Sequence, residues 1–171
     1  MSEYTPVEYL TKIQKLKYKA AIFPILLVII SFGLNMIYQL DQVKYLSILG
    51  LIWYILIIIR FRIRRNVPPK NESEIILSPI YGTITKIDIN MITIKKGLFQ
   101  AADIRYPGYE INLKFTSKFI NLFEKKPNLA GKLIGVVSCK SKCVCTIPDD
   151  WNINVHPGDK VIAGETILAV K

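Results

Sequence analysis

Three cysteines, one histidine and a serine set between two lysines are the residues of this 171-residue chain whose types and spacing could do chemistry. Cys139, Cys143 and Cys145 follow a Cys-x3-Cys-x-Cys pattern that invites a metal reading. Zinc takes four ligands in a tetrahedron, and the single histidine, His156, stands eleven residues beyond Cys145. The alternation through 138–147 offers a simpler account. Cys139, Ser141, Cys143, Cys145 and Ile147 hold the odd positions, and Lys140 and Lys142 hold even ones. A strand there turns the thiols to one face and the lysines to the other. In a reducing compartment the thiols are expected to pack inward as small hydrophobes, with no metal and no cofactor. The sequence holds neither a glycine-rich phosphate cradle nor an acid pair, so nucleotide and hydrolase chemistry have no support.

Composition says what must position these residues. Hydrophobic residues make up 51% of the chain, the mean hydropathy is +0.30, and 23 Lys+Arg against 13 Asp+Glu leave a net charge of +10. Disorder is excluded by that apolar content, and nine Gly, nine Pro and three Cys exclude collagen and a disulfide scaffold. The charge is placed unevenly. Between Lys19 and Asp41 there is none, and residues 20–38 form an apolar run of nineteen. As a helix that run is ~28 Å long at ~1.5 Å per residue, close to the ~30 Å hydrocarbon core of a bilayer. A second run, 45–59, is closed by Arg60 and spans with Val43 and the stem of Lys44.

Joined at 39–42, the two runs read as a transmembrane helical hairpin, with Pro24 expected in a first turn, where proline costs least. No small-x-small site follows the first run, so a cleaved signal peptide is not expected. Four lysines (Lys12, Lys15, Lys17, Lys19) precede the hairpin and four arginines (Arg60, Arg62, Arg64, Arg65) follow it. The positive-inside rule then puts both termini in the cytoplasm, on a multi-pass inner-membrane protein. The basic balance reads as a topology signal and an attraction to anionic phospholipid headgroups, not to nucleic acid.

Four segments follow: a basic N-terminal stretch (1–19), the hairpin (20–65), a Pro-Pro linker (66–74) and a cytoplasmic β domain (75–171). Runs of period two at 83–89, 91–95, 110–115 and 133–137, punctuated by Gly, Pro and Asn, argue short strands. Ser78-Pro79-x-x-Gly82-Thr83, paired with Gly158-Asp159-Lys160-Val161-x-Ala163-Gly164-Glu165, recurs in folded-over hairpin barrels. The expected fold is therefore α+β: a two-helix membrane hairpin followed by a small, mainly-β domain resembling a barrel-sandwich hybrid. Segment 114–126 stands apart. Phe115, Phe119, Leu122 and Phe123 fall at helical spacing, with Lys114, Lys118, Lys125 and Lys126 at the rim. These are the expected membrane-surface residues, on a helix lying at the headgroup boundary. A helix packed on the domain's own core and a strand continuing from Ile111 are the alternatives.

The order of parts, from the Arg-rich exit at 60–68 through Ser78-Pro79-x-x-Gly82 and the segment 131–148 to Gly158-Asp159-Lys160-Val161-x-Ala163-Gly164-Glu165-Thr166, resembles the short form of the phosphatidylserine decarboxylase family, archaeal-type relatives included. Members break a Gly-Ser bond so that the serine becomes an N-terminal pyruvoyl group, the electron sink for loss of CO2. Carried over by position, that serine falls on Ser141, the preceding glycine on Lys140, and the aspartate of the family's S-P-A-D-G motif on Tyr81. The histidine of an N-V-H-V-N-R-type stretch has no counterpart, and His156 follows the serine position instead of preceding it. The resemblance, with these departures, implies an uncut decarboxylase-like domain that binds phospholipid headgroups or regulates an active relative, alone or as a homo-oligomer. Two readings stay open beside it. One is an active pyruvoyl-dependent decarboxylase, cut before Ser141 and making phosphatidylethanolamine; the other is a non-enzymatic biotinyl/lipoyl-like scaffold.

Overall fold

A computed structural model describes residues 3–39, 41–69, 74–124, 127–137 and 140–171. The described residues form two helices, α1 (Val7–Tyr38) and α2 (Asp41–Arg60), followed by eleven strands. Both helices are long and apolar enough to cross a membrane. Their apolar side chains face outward along most of their length: Ile22, Phe23, Ile29, Ile30 and Phe32 on α1 and Leu49, Leu51, Ile52 and Ile55 on α2 are exposed. An apolar patch of that size marks a surface that meets lipid or a protein partner.

α1 differs from expectation in where it begins. The basic stretch 1–19 is helical from Val7, so Pro24 lies deep inside a 32-residue helix and not in its first turn. The helix tolerates it at the contact with α2. Pro24 is buried there, and a Cβ on Gly50 would stand 2.7 Å from Val28 and 3.2 Å from the Pro24 carbonyl oxygen. Only glycine lets the two backbones approach so closely. At ~1.5 Å per residue α1 is ~48 Å long, well beyond a bilayer core, and its first turns pack on the β domain instead. Ile13 is buried with Ala102, Leu133 and Val136, beside Tyr9, Leu16 and Phe123.

The strands are β1 (Ile75–Leu77), β2 (Gly82–Asp88), β3 (Met91–Lys96), β4 (Asp103–Arg105), β5 (Asn112–Thr116), β6 (Ile120–Leu122), β7 (Leu133–Val137), β8 (Ser141–Thr146), β9 (Asn152–Ile153), β10 (Lys160–Val161) and β11 (Ile167–Val170). They pair as three sheets, β1-β11-β9, β10-β2-β3-β8-β5 and β4-β7-β6. Closure into a hybrid barrel is not among the described pairings. The core is rich in β-branched residues, with Ile76, Ile84, Ile92, Ile94, Ile104 and Val137 fully or almost fully buried around Cys143 and Cys145. Such side chains suit a pleated, buried surface.

The chain leaving α2 is docked along the domain. Arg62 accepts from the Ala102 amide (2.8 Å), Asn66 donates to the Ala163 carbonyl, and Pro68 is buried. Residues 66–69 of the expected linker (66–74) therefore hold the helices and the β domain as one packed unit, and 70–73 lie outside the described residues.

Strand direction gives the domain two distinct ends. β7 starts beside Tyr4, whose carbonyl accepts the Leu133 amide at 2.8 Å. It then runs along α1 until Val136 shares a hollow with Lys19, Ala20 and Arg60, where the apolar stretches of both helices begin. We call this the span end. β6 begins there, since Ile120 pairs with Val137, and β4 begins near it, since Asp103 pairs with Val136.

Candidate functional site

The site gathers where strands turn at the span end. β3 finishes at Lys96 opposite Ser141, the first residue of β8, and β5 finishes at Thr116 opposite Lys142. The turns 97–102 and 117–119 and Lys140, just before Ser141, therefore lie together. Between them is a groove of about 710 Å³ lined by Leu98, Phe115, Thr116, Ser117, Lys118, Phe119 and Lys140. A neighbouring hollow of about 430 Å³ is more basic, with Lys95, Lys140 and Lys142 beside Thr85, Thr116 and Ser141. The Arg60 guanidinium at the end of α2 sits 4.6 Å from the centre of the Phe119 ring, a cation–π contact. That contact fixes the height of the groove against the helices.

The helix expected over 114–126 is corrected by the structure: this segment forms two strands, β5 and β6, joined by a turn. The same residues satisfy both periods, and pairing decides between them. β5 completes the edge of β8, matching Lys114 to Val144 and Phe115 to Cys143. At the turn, the Ser117 hydroxyl accepts the Phe119 amide at 3.3 Å, the kind of local bond that competes with a helix. Lys114 and Lys118 are exposed, Phe115 is half-buried against the core, and Phe119 is 54% exposed at the groove. Phe123 lies elsewhere. Its ring packs 5.4 Å from that of Tyr9 in the seam between α1 and the domain. Lys125 and Lys126 lie outside the described residues.

Ser141 is buried, and its Oγ has no hydrogen-bond partner among the described residues. Lys96, directly across the ladder, is 1% exposed and donates from Nζ to the Gln100 carbonyl at 3.1 Å. The Tyr81 hydroxyl donates to Asn66 Oδ1 at 2.7 Å. Burial first, and then the charge of Asp103, pushes the Tyr81 phenol up to about 12. His156 is far from this group. Its side chain is 87% exposed beside Asp159, in the turn leading into β10. From β10 to β8 there are three strand spacings in the sheet, about 14 Å at ~4.8 Å each.

The face assignment of β8 agrees with the alternation: Ser141, Cys143 and Cys145 point inward and Lys142 outward. The two cysteine sulfurs lie 3.8 Å apart. The hydrogen bond shared with Cys143, and then burial, pushes the Cys145 thiol well above its ordinary value, which keeps it protonated and unreactive. Cys139 lies outside the described residues.

A pair that no residue pattern announces secures this arrangement. Asp103 and Arg105 on β4 are both fully buried, with Arg105 Nε 2.9 Å from Asp103 Oδ2. The same guanidinium donates to the carbonyls of Tyr4 (3.2 Å), Gly131 (3.1 Å) and Arg64 (2.8 Å). One side chain thus ties the segment before α1, the segment after α2 and the β domain. Gly164, at φ +73°, lets the backbone lie against the Arg105 stem, where an added Cβ would stand 3.3 Å away. Burial raises the Asp103 carboxyl, and the Arg105 charge opposes that rise.

A second clasp joins the same parts. The Tyr9 hydroxyl donates to Glu124 at 2.8 Å, and the Lys132 ammonium donates to the other carboxylate oxygen at 3.0 Å. The bond to Glu124 raises the Tyr9 phenol to about 12, and the bond from Lys132 lowers the Glu124 carboxyl below its ordinary 4.5. A carboxyl lowered by folding stabilises the fold above its unfolded value, and that contribution is lost as pH falls through the folded value. Protection from hydrogen exchange at 7–13, measured against the intrinsic rate at each pH, is therefore expected to fall as the wild type is acidified through the lowered Glu124 value. Glu124→Gln should show the reduced protection already at pH 7; wild-type protection there would remove the clasp.

No family model matches this chain, and no solved structure does. It is 42% identical over 53 residues to a protein of Methanococcoides burtonii assigned as an archaetidylserine decarboxylase proenzyme. That match covers 31% of this chain and 24% of the length of the relative. The likeness is confined to that stretch, and the chain spans about a quarter of the length of the relative it matches.

Proposed function

We propose that this protein is a membrane-anchored, decarboxylase-like module that binds acidic phospholipids at the span end of its β domain and leaves its own backbone uncut. The observation that carries the binding half is the groove beside Arg60. An apolar floor of Leu98, Phe115 and Phe119 meets Lys118 and Lys140 at the height where the apolar helices begin. Acyl chain suits the floor, and the phosphate and carboxylate of a headgroup suit the lysines. Rigid docking of the domain on the first turns of α1 keeps this end turned toward the leaflet. The partners in this reading are the bilayer and its anionic headgroups, with both termini cytoplasmic.

The uncut half rests on what surrounds Ser141. A self-made pyruvoyl needs an activated serine and a backbone free to strain. Lys140 stands where a glycine would ease that strain, the Tyr81 hydroxyl is committed to Asn66, and His156 lies three strands off. These residues do not fit a self-made pyruvoyl group. Ser141 instead serves as a small, inward-facing member of β8.

The test is native mass spectrometry of the full chain reconstituted in lipid nanodiscs that mix phosphatidylcholine with phosphatidylserine. One chain of 19.5 kDa is expected, carrying phosphatidylserine in excess over its share of the disc. A chain split before Ser141 with a blocked new N-terminus would establish the active decarboxylase instead. Lipid retained in proportion to the disc would remove the binding site.

A further inference from the structure

We propose that the turn between β3 and β4 is a membrane-penetrating tip, with Leu98 and Phe99 seated in the acyl border of the leaflet that α1 and α2 enter. The inference rests on the membrane-anchor reading and adds a contact that the anchor does not require. The turn is built to hold its shape. The Gly97 amide donates to the Gln100 side-chain oxygen at 2.6 Å. Beneath it, the buried Lys96 ammonium donates to the carbonyls of Gly97 (3.4 Å) and Gln100 (3.1 Å). A buried cation spent on turn carbonyls is a costly way to order a loop that does nothing. What the ordered turn presents is two large apolar side chains, Leu98 at 43% and Phe99 at 66% exposure.

The height of the tip follows from its neighbours. Leu98 lines the same groove as Phe119 and Lys140, and Phe119 lies against Arg60 at the end of α2. Exposed Lys95, Lys118 and Lys140 flank the tip, the pattern of an apolar wedge rimmed by cations that suits an anionic leaflet. An apolar tip at that height, on a domain docked rigidly to the helices, meets lipid before it meets another protein.

The test uses the full chain in phosphatidylcholine–phosphatidylserine vesicles whose acyl chains carry bromine near the headgroup. Wild-type Trp53 reports on α2, and a Trp53→Phe, Phe99→Trp chain reports on the tip, with Trp151 in the core as a common reference. Phe99→Trp emission is expected to be blue-shifted and to lose most of its intensity in the brominated vesicles, and Leu98→Asp in the same chain should restore much of it. Quenching of Trp53 without quenching at position 99 would overturn the tip and leave the anchor standing. A blue-shifted, unquenched Phe99→Trp would point to a protein cover and equally overturn it. Failure to quench Trp53 would sink the anchor reading itself.

Discussion

Arg105→Met is expected to cost the protein about 3–5 kcal/mol, the range for removing one partner of a buried ion pair. Asp103, at 0% exposure, would be left with no cation to oppose the upward push of burial and would have to bury a bare charge or take up a proton, and the Tyr4, Arg64 and Gly131 carbonyls would each lose a donor. Typical domains hold only about 5–15 kcal/mol in total, so the variant should melt far below the wild type in detergent. The loss should also be located. Amide exchange should rise first at 4–13 and 62–66, because this side chain joins those segments to the domain. Replacing both partners, Asp103→Leu with Arg105→Met, should recover part of the stability, since an apolar pair leaves no stranded charge. A single variant that melts like the wild type would show that the three segments are held by packing alone.

The second large effect is on lipid preference. A lysine close to an anionic surface contributes about 1 kcal/mol, so Lys118, Lys140 and Lys142 together supply about 3 kcal/mol. That is on the order of a hundredfold in preference at ~1.4 kcal/mol per tenfold. Reversing all three to glutamate is expected to abolish the excess of phosphatidylserine carried by the protein, with its insertion unchanged, because α1 and α2 are untouched. All three side chains are exposed, so folding should survive. Raising the salt should weaken the wild-type preference in the same direction, as screening of exposed charges requires. Unaltered preference in the triple variant would move the headgroup contact away from the groove.

Some of this could be read from the residues, and the reasons are physical. The helices are legible because a charge-free run of nineteen residues has few other uses. β2, β3 and β8 are legible because alternation persists over six or seven residues. Segment 114–126 is not, since its phenylalanines satisfy a helix while β5 alternates over only five residues. The free edge of β8, a long-range fact, settles the matter. Asp103 and Arg105 sit on a three-residue strand, too short to announce a buried pair. Their partners at Tyr4 and Arg64 lie about 100 and 41 positions away. The inward face of Ser141 was readable from β8 alone. That it lies at the end facing the helices was not, because strand direction relative to α1 appears only once β7 is seen to run along it.

The most direct measurement is photolabelling of the reconstituted full chain with a phosphatidylserine analogue whose headgroup carries a photoreactive amine substituent, followed by peptide mapping. The account predicts label concentrated on 95–100, 116–119 and 140–142, competed by unlabelled phosphatidylserine. Label confined to the β9–β11 side of the domain, or spread evenly and indifferent to competitor, would contradict it.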